Sequence, residues 1–332
     1  MTKSLDRVLK HQPLVWLAAA LCCGLSLAGD TRPVQWQRVV FLGRGTAQTD
    51  DAFQSYVKTL RRTHATLSKT LRVDFVDISN QPADQQHQLL ASVAATKPAL
   101  LLAPNGNAAK AAARYAPTIP LVFSTYIDPI EAGIVSAMEQ RPEPVTGIWV
   151  TEQLDGKRLE VLRDAYPGLR RIAVLTDRSW NRSVNTIAPV EQAASTLGLD
   201  IEILLADNVE QAQALFDGPR ARSFDAWIVP RSYVAVLALP LILERLQAWH
   251  KPLIVSSLGE VRSGAPLSYG VDTSFIWPGL TDLTARILEG ESAGDIPIQR
   301  PHRFVLAVRT SADTGLPPPS IAVMRRADVV IR

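Results

Sequence analysis

The feature of this sequence that most constrains its fold is a series of short apolar runs that occurs twice in the same order. Corresponding runs begin 133, 128, 127 and 132 residues apart. Continuous apolar runs of this length are typical of parallel strands that are buried on both faces. Because the spacing is nearly constant, the sequence predicts two copies of one α/β unit; a single large α/β domain is the alternative. The runs are residues 38–43, 71–77, 98–103 and 119–124 in the first copy, and 171–176, 199–204, 225–230 and 251–256 in the second.

Amphipathic stretches between the runs predict the helices of βα units. Residues 51–60 and 189–197 carry apolar side chains at helical spacing, and Gly198 is a helix stop signal at the end of the second stretch. The predicted fold class is therefore α/β, with two doubly wound parallel-sheet lobes. Elements beyond the second copy indicate that the chain crosses between the lobes more than once. They are strands at 266–271 and 304–308, a helix at 278–288 and a short helix near the C-terminus.

The first 28 residues have the pattern of a secretory signal peptide. Lys3, Arg7 and Lys10 form a basic region, an apolar run follows at 14–27, and the small residues before Gly29 predict cleavage after residue 28. The apolar run is shorter than the ~20 residues that a membrane-spanning helix needs. The sequence therefore predicts an exported chain that is free in the periplasm, without stable membrane insertion; an uncleaved N-terminal anchor is the alternative.

Cleavage at this position would remove both cysteines of the chain, Cys22 and Cys23. The residues before them do not fit a lipoprotein signal, so a lipid anchor is not expected. Loss of three basic residues and one acidic residue would lower the formal net charge from +3 to +1. A charge this balanced argues against nucleic-acid binding, which needs a clustered basic face.

The motifs of common enzyme and nucleotide-binding classes are missing from the sequence. Gly43-Arg44-Gly45 follows a predicted strand, but Gln48 occupies the position of the third glycine in a dinucleotide fingerprint. There is no phosphate-binding loop of the Walker type and no nucleophile elbow. Four histidines beyond the signal peptide fall in predicted helices or linkers, at spacings that suit no metal site. The sequence thus predicts a binding protein without catalytic residues, cofactor or metal, with an enzyme as the alternative.

The loops after the predicted strands form the candidate ligand site, because ligands of open parallel sheets bind beyond the carboxyl ends of the strands. Two such sheets facing each other would line one cleft with these loops, which are rich in hydroxyl, amide and aromatic groups. The predicted ligand-binding residues are Thr46, Asn105, Asn107, Ser124, Thr125, Tyr126, Asp128, Trp180, Asn181, Ser183, Arg231, Ser232, Tyr233, Ser257 and Asp272.

Several of these side chains have a specific expected role and a structural alternative. Asn107 could cap a helix whose N-terminus seats an anion, or it could be an ordinary cap in contact with water. Arg231 could clamp a carboxylate, or it could be a surface arginine. Asp128 and Asp272 could receive an ammonium group, or they could hold turns. Trp180 could stack on a ligand because it lies in a predicted polar loop, or it could pack half-exposed.

Two patterns are the most specific in combination: Ser-x-x-x-Asp-Pro at 124–129 and Ser-Tyr-Gly-x-Asp at 268–272. Together with segments 145–148, 156–163 and 327–331, they make the chain resemble type I periplasmic binding proteins. In particular it resembles the ABC-transporter substrate-binding family whose characterised members take tryptophan and other aromatic amino acids. The resemblance implies a periplasmic component of an ABC-type importer, with a small molecule such as an amino acid as ligand and an inner-membrane ABC permease as partner. A ligand-sensing adaptor for a membrane-bound sensor kinase or cyclase is the alternative.

The resemblance also implies how the chain is divided. Three crossings near 145–149, 270–272 and 299–302 would form a hinge between the lobes. The loop at 43–50 departs from the family pattern, because many relatives carry a histidine-proline pair soon after the first strand. The N-terminal lobe would comprise 30–145 and 272–299, and the C-terminal lobe 148–270 and 303–332.

Overall fold

The computed structural model of the chain describes residues 36–139, 141–150, 153–310 and 315–332. The predicted signal peptide lies outside these residues. Among the helices that the structure describes, none is both long enough and apolar enough to span a membrane.

The described strands form two sheets, one in each lobe. The strands are β1 (Gln37–Gly43), β2 (Leu71–Asp77), β3 (Leu100–Ala103), β4 (Leu121–Thr125), β5 (Val145–Trp149), β6 (Arg171–Thr176), β7 (Asp200–Leu205), β8 (Ala226–Val229), β9 (Leu253–Val255), β10 (Leu267–Val271), β11 (Phe304–Arg309) and β12 (Val329–Ile331). The first sheet has the order β2-β1-β3-β4-β5, with all neighbours parallel. The second has the order β12-β11-β10-β9-β8-β6-β7.

The two sheets repeat one arrangement of strands. The order β7-β6-β8-β9-β10 in the second sheet matches β2-β1-β3-β4-β5 in the first. Each of the eight apolar runs predicted as strands forms a strand whose ends lie within two residues of the predicted bounds. The predicted α/β fold with two doubly wound lobes is therefore confirmed.

Strand β11 is the exception to the parallel pattern, since it pairs with β10 in the antiparallel direction. The reason is the path of the chain. Strand β10 ends at the waist between the lobes, and the chain comes back to the waist before β11 begins, so β11 must run back along β10. Strand β12 then pairs with β11 in parallel.

Helices cover the sheets of both lobes. They are α1 (Asp51–Thr63), α2 (Ala83–Ala95), α3 (Gly106–Tyr115), α4 (Asp155–Ala165), α5 (Arg178–Val184), α6 (Ile187–Leu197), α7 (Val209–Asp217), α8 (Tyr233–Ala248), α9 (Leu258–Arg262), α10 (Ile276–Leu288) and α11 (Ile321–Arg326). Helix α10 follows β10 in sequence but packs on the first lobe. There Leu280 and Leu283 share a buried cluster with Phe41, and the hydroxyl of Tyr56 donates to Oγ1 of Thr284 at 3.1 Å.

Three segments connect the lobes and form the hinge. After α10 the chain runs along the edge of the first sheet, where the N–H of Gln299 donates to the carbonyl of Gly147 and its carbonyl accepts from Trp149, both at 2.9 Å. The second crossing packs too closely for a side chain, because a Cβ on Gly270 would lie 1.7 Å from the carbonyl oxygen of Ser256. The residue bounds given above for the two lobes stay a prediction.

Candidate functional site

Two predicted site residues from opposite lobes meet across the cleft. Tyr126 directly follows β4 in the first lobe, and Trp180 lies on α5 in the second. Their ring centroids are 6.3 Å apart with an angle of 52° between the planes. Both side chains are half-buried. The ends of β4 and β6 therefore face the same space, as the strand-end rule requires.

Two arginine–tyrosine contacts also join the lobes. The guanidinium carbon of Arg231, after β8, lies 4.3 Å from the ring centroid of Tyr126. That of Arg44, after β1, lies 5.7 Å from the ring centroid of Tyr233. Both distances are within the ~6 Å range of cation–π interactions.

A cavity of about 460 Å³ lies at the waist between the lobes. Its volume is within the range of ~300–1,000 Å³ that is typical of small-molecule sites. One side of the cavity is formed by the residues that follow β4 and β5 and by the start of α4. The other side is formed by α5 and the third crossing. The lining residues are Tyr126, Asp128, Glu131, Trp149, Gln153, Leu154, Arg182, Ser183, Val184, Asn185, Arg300 and Phe304.

The cavity walls combine aromatic rings with charges of both signs. The guanidinium carbon of Arg300 lies 4.4 Å from the ring centroid of Trp149, and Arg182 adds a second cation. The acidic groups are Asp128 and Glu131. A ligand with a flat apolar part and an anionic group would find complementary groups here. In the described part of the chain, no cluster of three or more histidine, cysteine, aspartate or glutamate side chains could hold a metal ion.

The structure places the predicted site residues in two groups. Tyr126, Asp128 and Ser183 line the cavity, and Trp180 contacts Tyr126. The others lie outside the lining, and a role for them in ligand binding stays a prediction. They are Thr46, Asn105, Asn107, Ser124, Thr125, Asn181, Arg231, Ser232, Tyr233, Ser257 and Asp272.

Three residues of the second group cap helices. Asn105 caps α3, Ser232 caps α8 and Ser257 caps α9, each by accepting a backbone N–H in the first turn. The prediction that Asn107 caps α3 is wrong, because the helix begins directly after Asn105, whose backbone is extended (φ −147°, ψ 161°). Asn107 is instead an exposed residue within the first turn.

The predicted polar loop around Trp180 is in fact a helix. Asp177 caps α5 by accepting the backbone N–H of Trp180 at 2.6 Å. Oδ1 of Asn181 accepts the N–H of Ile187 at 3.0 Å, which ties α5 to α6. With only seven residues, α5 is too short for its apolar spacing to be recognised in the sequence.

Asp128 and Asp272 both hold turns. Oδ1 of Asp128 accepts the N–H of Ile130 at 2.8 Å, and Oδ1 of Asp272 accepts the N–H of Ser274 at 3.0 Å. Hydrogen bonds from Ser274, together with the charge of Arg303, lower the pKa of Asp272 and keep this carboxylate ionised. These contacts support the turn-holding alternative for both residues.

The remaining hydroxyl residues of the first lobe also have local partners. Thr125, buried at the end of β4, accepts the N–H of Ile127 at 3.2 Å through its hydroxyl. Ser124 beside it is buried as well. Thr46 belongs to an exposed turn, where its Oγ1 lies 3.0 Å from Oγ1 of Thr49.

Sequence reasoning missed several lining residues. Arg182 and Asn185 lie on and just after α5, Arg300 lies in the third crossing, and Phe304 begins β11 just after it. None of them directly follows a strand end. For Arg300 and Phe304 the available signal was their position beside a predicted crossing. Asn185 ends α5 in the left-handed conformation (φ 53°), which asparagine tolerates better than most residues.

Two doubly wound lobes, a three-segment hinge and a cavity at the waist define a two-lobed binding protein with the type I periplasmic fold. Residues 49–316 match the family of ABC transporter substrate binding proteins, and the chain belongs to this family. The family is one of solute-binding proteins, which agrees with the missing enzyme motifs.

Individual relatives support the same assignment. A tyrosine-binding protein of Clostridioides difficile is 25% identical over 252 residues, which cover 75% of this chain and 71% of that protein. The crystal structure of an ABC domain in complex with L-Trp from Streptococcus pneumonia has a TM-score of 0.73 at 17% identity, covering 90% of this chain and 100% of that one. The ligand-free, open structure of a substrate binding protein with adhesive properties from Clostridium difficile has a TM-score of 0.66 at 21% identity, covering 90% and 99%. The two structures show the shared fold.

Proposed function

We propose that this chain is the periplasmic solute-binding component of an ABC-type importer, that it binds a small molecule between its lobes and that it catalyses no reaction. The observation that carries the proposal is the cavity at the waist. Tyr126 and Trp149 of the first lobe and Arg182 and Asn185 of the second surround the same space. A ligand held there would touch both lobes at once and would link its binding to their closure.

The proposed ligand is an amino acid or a related compound with a flat apolar part. The rings of Tyr126, Trp149 and Phe304 would pack against that part, and Arg182 and Arg300 would pair with a carboxylate. The relative named as tyrosine-binding and the neighbour solved with L-Trp support this choice of ligand.

The proposal includes the division and the location of the chain. Two lobes would close on the ligand, one formed by 30–145 with 272–299 and the other by 148–270 with 303–332. The predicted residues of the post-strand loops would approach the ligand from the mouth of the cleft. Removal of the signal peptide would leave the chain in the periplasm, where it would deliver its ligand to an inner-membrane ABC permease.

A binding screen on the purified chain from Gly29 onward tests the ligand proposal. The screen compares L-tyrosine and L-tryptophan with other amino acids, nucleosides, sugars and organic acids by thermal shift and calorimetry. A ligand present at 100 times its Kd stabilises the folded state by ~2.7 kcal/mol and so raises the melting temperature. Small-angle scattering should then give a smaller radius of gyration. A ligand that binds without changing either quantity would contradict binding between closing lobes.

Uptake by cells tests the importer role. Cells that lack this chain should lose high-affinity uptake of the ligand found in the screen, and the restored gene should return it. Undiminished uptake would contradict the importer role and would favour the sensing adaptor.

A further inference from the structure

The two arginine–tyrosine contacts across the cleft are reciprocal. The segment Arg231-Ser232-Tyr233, after β8 in the second lobe, supplies the arginine of one contact and the tyrosine of the other. Its partners in the first lobe are Tyr126, with the guanidinium carbon 4.3 Å from the ring centroid, and Arg44, with the corresponding distance 5.7 Å. The first and the last residue of this tripeptide therefore both contact the opposite lobe.

The backbone on each side of these contacts is anchored to a helix. In the second lobe Ser232 is buried and caps α8 by accepting the N–H of Ala235 at 3.0 Å. In the first lobe the carboxylate of Asp50 accepts the N–H of Arg44 at 2.7 Å and also caps α1. Movement of either lobe as a rigid body thus carries its arginine and its tyrosine along with it.

We infer that these two contacts, Arg231 with Tyr126 and Arg44 with Tyr233, form a clasp that stabilises the closed arrangement of the lobes independently of the ligand. Both contacts join protein groups only, so they form without any ligand. The inference rests on the proposed function, in which the lobes open and close around the cavity.

The clasp also gives Arg231 a positioning role. Tyr126 lines the cavity, and it is held from the second lobe by Arg231 on one side and by Trp180 at 6.3 Å between ring centroids. Arg231 itself does not line the cavity. Its contact with Tyr126 nevertheless links it to the ligand site.

Each contact should change the ratio of closed to open molecules by a modest factor. Cation–π pairs at exposed sites correspond to about a two- to five-fold effect on an equilibrium, and Arg44 and Tyr233 are both exposed. A larger closed fraction before binding raises the apparent affinity for any ligand, because less of the binding energy is needed to close the lobes.

The test measures the distance between the lobes without any ligand. The chain from Gly29 onward contains no cysteine, so spin labels on Lys110→Cys and Gln213→Cys, two exposed helix positions, report one lobe each. Arg44→Gln and Tyr233→Leu should each shift the distance distribution from closed towards open, with a two- to five-fold lower closed-to-open ratio. Arg231→Gln should lower the ratio at least as much, because Arg231 and Tyr126 are half-buried. Combining Arg44→Gln with Tyr233→Leu should open the lobes no further than either change alone, and Arg231→Lys should restore part of the closed fraction.

Arg114→Gln is the matched control. Its guanidinium carbon lies 5.2 Å from the ring centroid of Tyr115, so it makes the same kind of contact, but within one lobe. This control should leave the distance distribution unchanged. Distributions that match the parent in all three clasp variants, with unchanged melting temperatures, would overturn the clasp. Because no ligand is used, this outcome is separate from a failure of the proposed function, which the binding screen would show.

Discussion

Arg158 and Asp155, one turn apart at the start of α4, form an ion pair that is closed off from solvent. Nε of Arg158 also donates to the carbonyl of Tyr269 in β10 at 2.8 Å. Helix α4 begins just after the first crossing and β10 ends at the second, so this pair ties two hinge segments together. Burial raises the pKa of Asp155, while the charge of Arg158 opposes that effect.

Replacing Arg158 with leucine should lower the free energy of unfolding by about 3–5 kcal/mol, because Asp155 would remain as a buried charge without its partner. Denaturant titration measures the change. Arg163→Leu removes one of the two basic partners of Asp164, in an exposed pair on the same helix, and should cost less than about 1 kcal/mol. Equal and small losses in the two variants would show that the buried pair does not stabilise the hinge.

The carboxylate of Asp225 should make stability depend on pH. Hydrogen bonds from the backbone N–H groups of Arg171 and Arg170, both at 2.9 Å, lower its pKa. Its contribution is therefore present above the unfolded pKa of about 3.9 and is lost as the pH falls through the folded pKa. Asp225→Asn should be less stable than the parent by about 1 kcal/mol at neutral pH and equally stable in strong acid, as measured by urea titration. A difference that stays constant with pH would rule out ionisation of Asp225 as its source.

Trp180→Ala should weaken ligand binding. The loss of its contact with Tyr126 should cost about 0.5–1.5 kcal/mol, or roughly two- to twelve-fold in Kd, as measured by calorimetry. Trp249→Ala is the control, because that ring packs against Phe216 with 6.0 Å between centroids, on the core side of α8. The control should lower the melting temperature and leave Kd unchanged. Equal Kd values for the parent and Trp180→Ala would argue against a role of Trp180 and its contact with Tyr126 in ligand binding.

Arg300→Gln should weaken binding of ligands that carry a carboxylate. Loss of a charge-assisted hydrogen bond corresponds to about 1.5–3 kcal/mol, or roughly ten- to 150-fold in Kd. Titrations with L-tryptophan and with L-tryptophan amide distinguish the effect of the ligand's carboxylate charge from that of its shape. Only L-tryptophan should bind more weakly to the variant than to the parent. Arg262→Gln, an exposed position on α9, should change neither. A parallel loss for both compounds would mean that Arg300 packs on the ligand without pairing with its carboxylate.

The exported chain should begin at Gly29. Mass spectrometry of the periplasmic fraction gives the N-terminus directly, and a charged residue in Ala28→Asp should block cleavage because the peptidase needs a small residue there. Acylated Cys22 or Cys23 in the mature chain would contradict this prediction.

Six of the eight matched strands were predictable because they are buried almost throughout, and burial on both faces leaves a continuous apolar signal. The edge strands β2 and β7 are mostly half-buried and carry charged residues, and their place in the repeated spacing identified them. The antiparallel direction of β11 was not predictable, since Phe304–Arg309 is as apolar as a parallel strand would be. What reverses it is the return of the chain from the first lobe. That path depends on contacts between distant segments, which local sequence does not encode.

The site was predictable only in part, for the same reason. Tyr126 follows a strand end and was found by the strand-end rule. Arg182 and Arg300 reach the cavity because α5 and the third crossing lie over the waist. No local sequence pattern predicts this position of the two segments. The error at Asn107 was local, because two asparagines in one loop both suit a cap. The extended backbone of Asn105 decides between them.

The hydrogen bond between Tyr56 and Thr284 joins residues 228 positions apart in the chain. A ribosome and a secretion channel both release a chain from its N-terminal end, so the first sheet emerges long before α10, the helix that covers one of its faces. Contacts between such distant segments form slowly, because a long loop must close first. The first lobe is discontinuous in sequence, because the second lobe is inserted before α10, and its folding is therefore delayed. The first lobe cannot be completed until α10, residues 276–288, has been made. A late completion of this kind would favour the export proposed above, because a chain that is still unfolded can pass through a secretion channel.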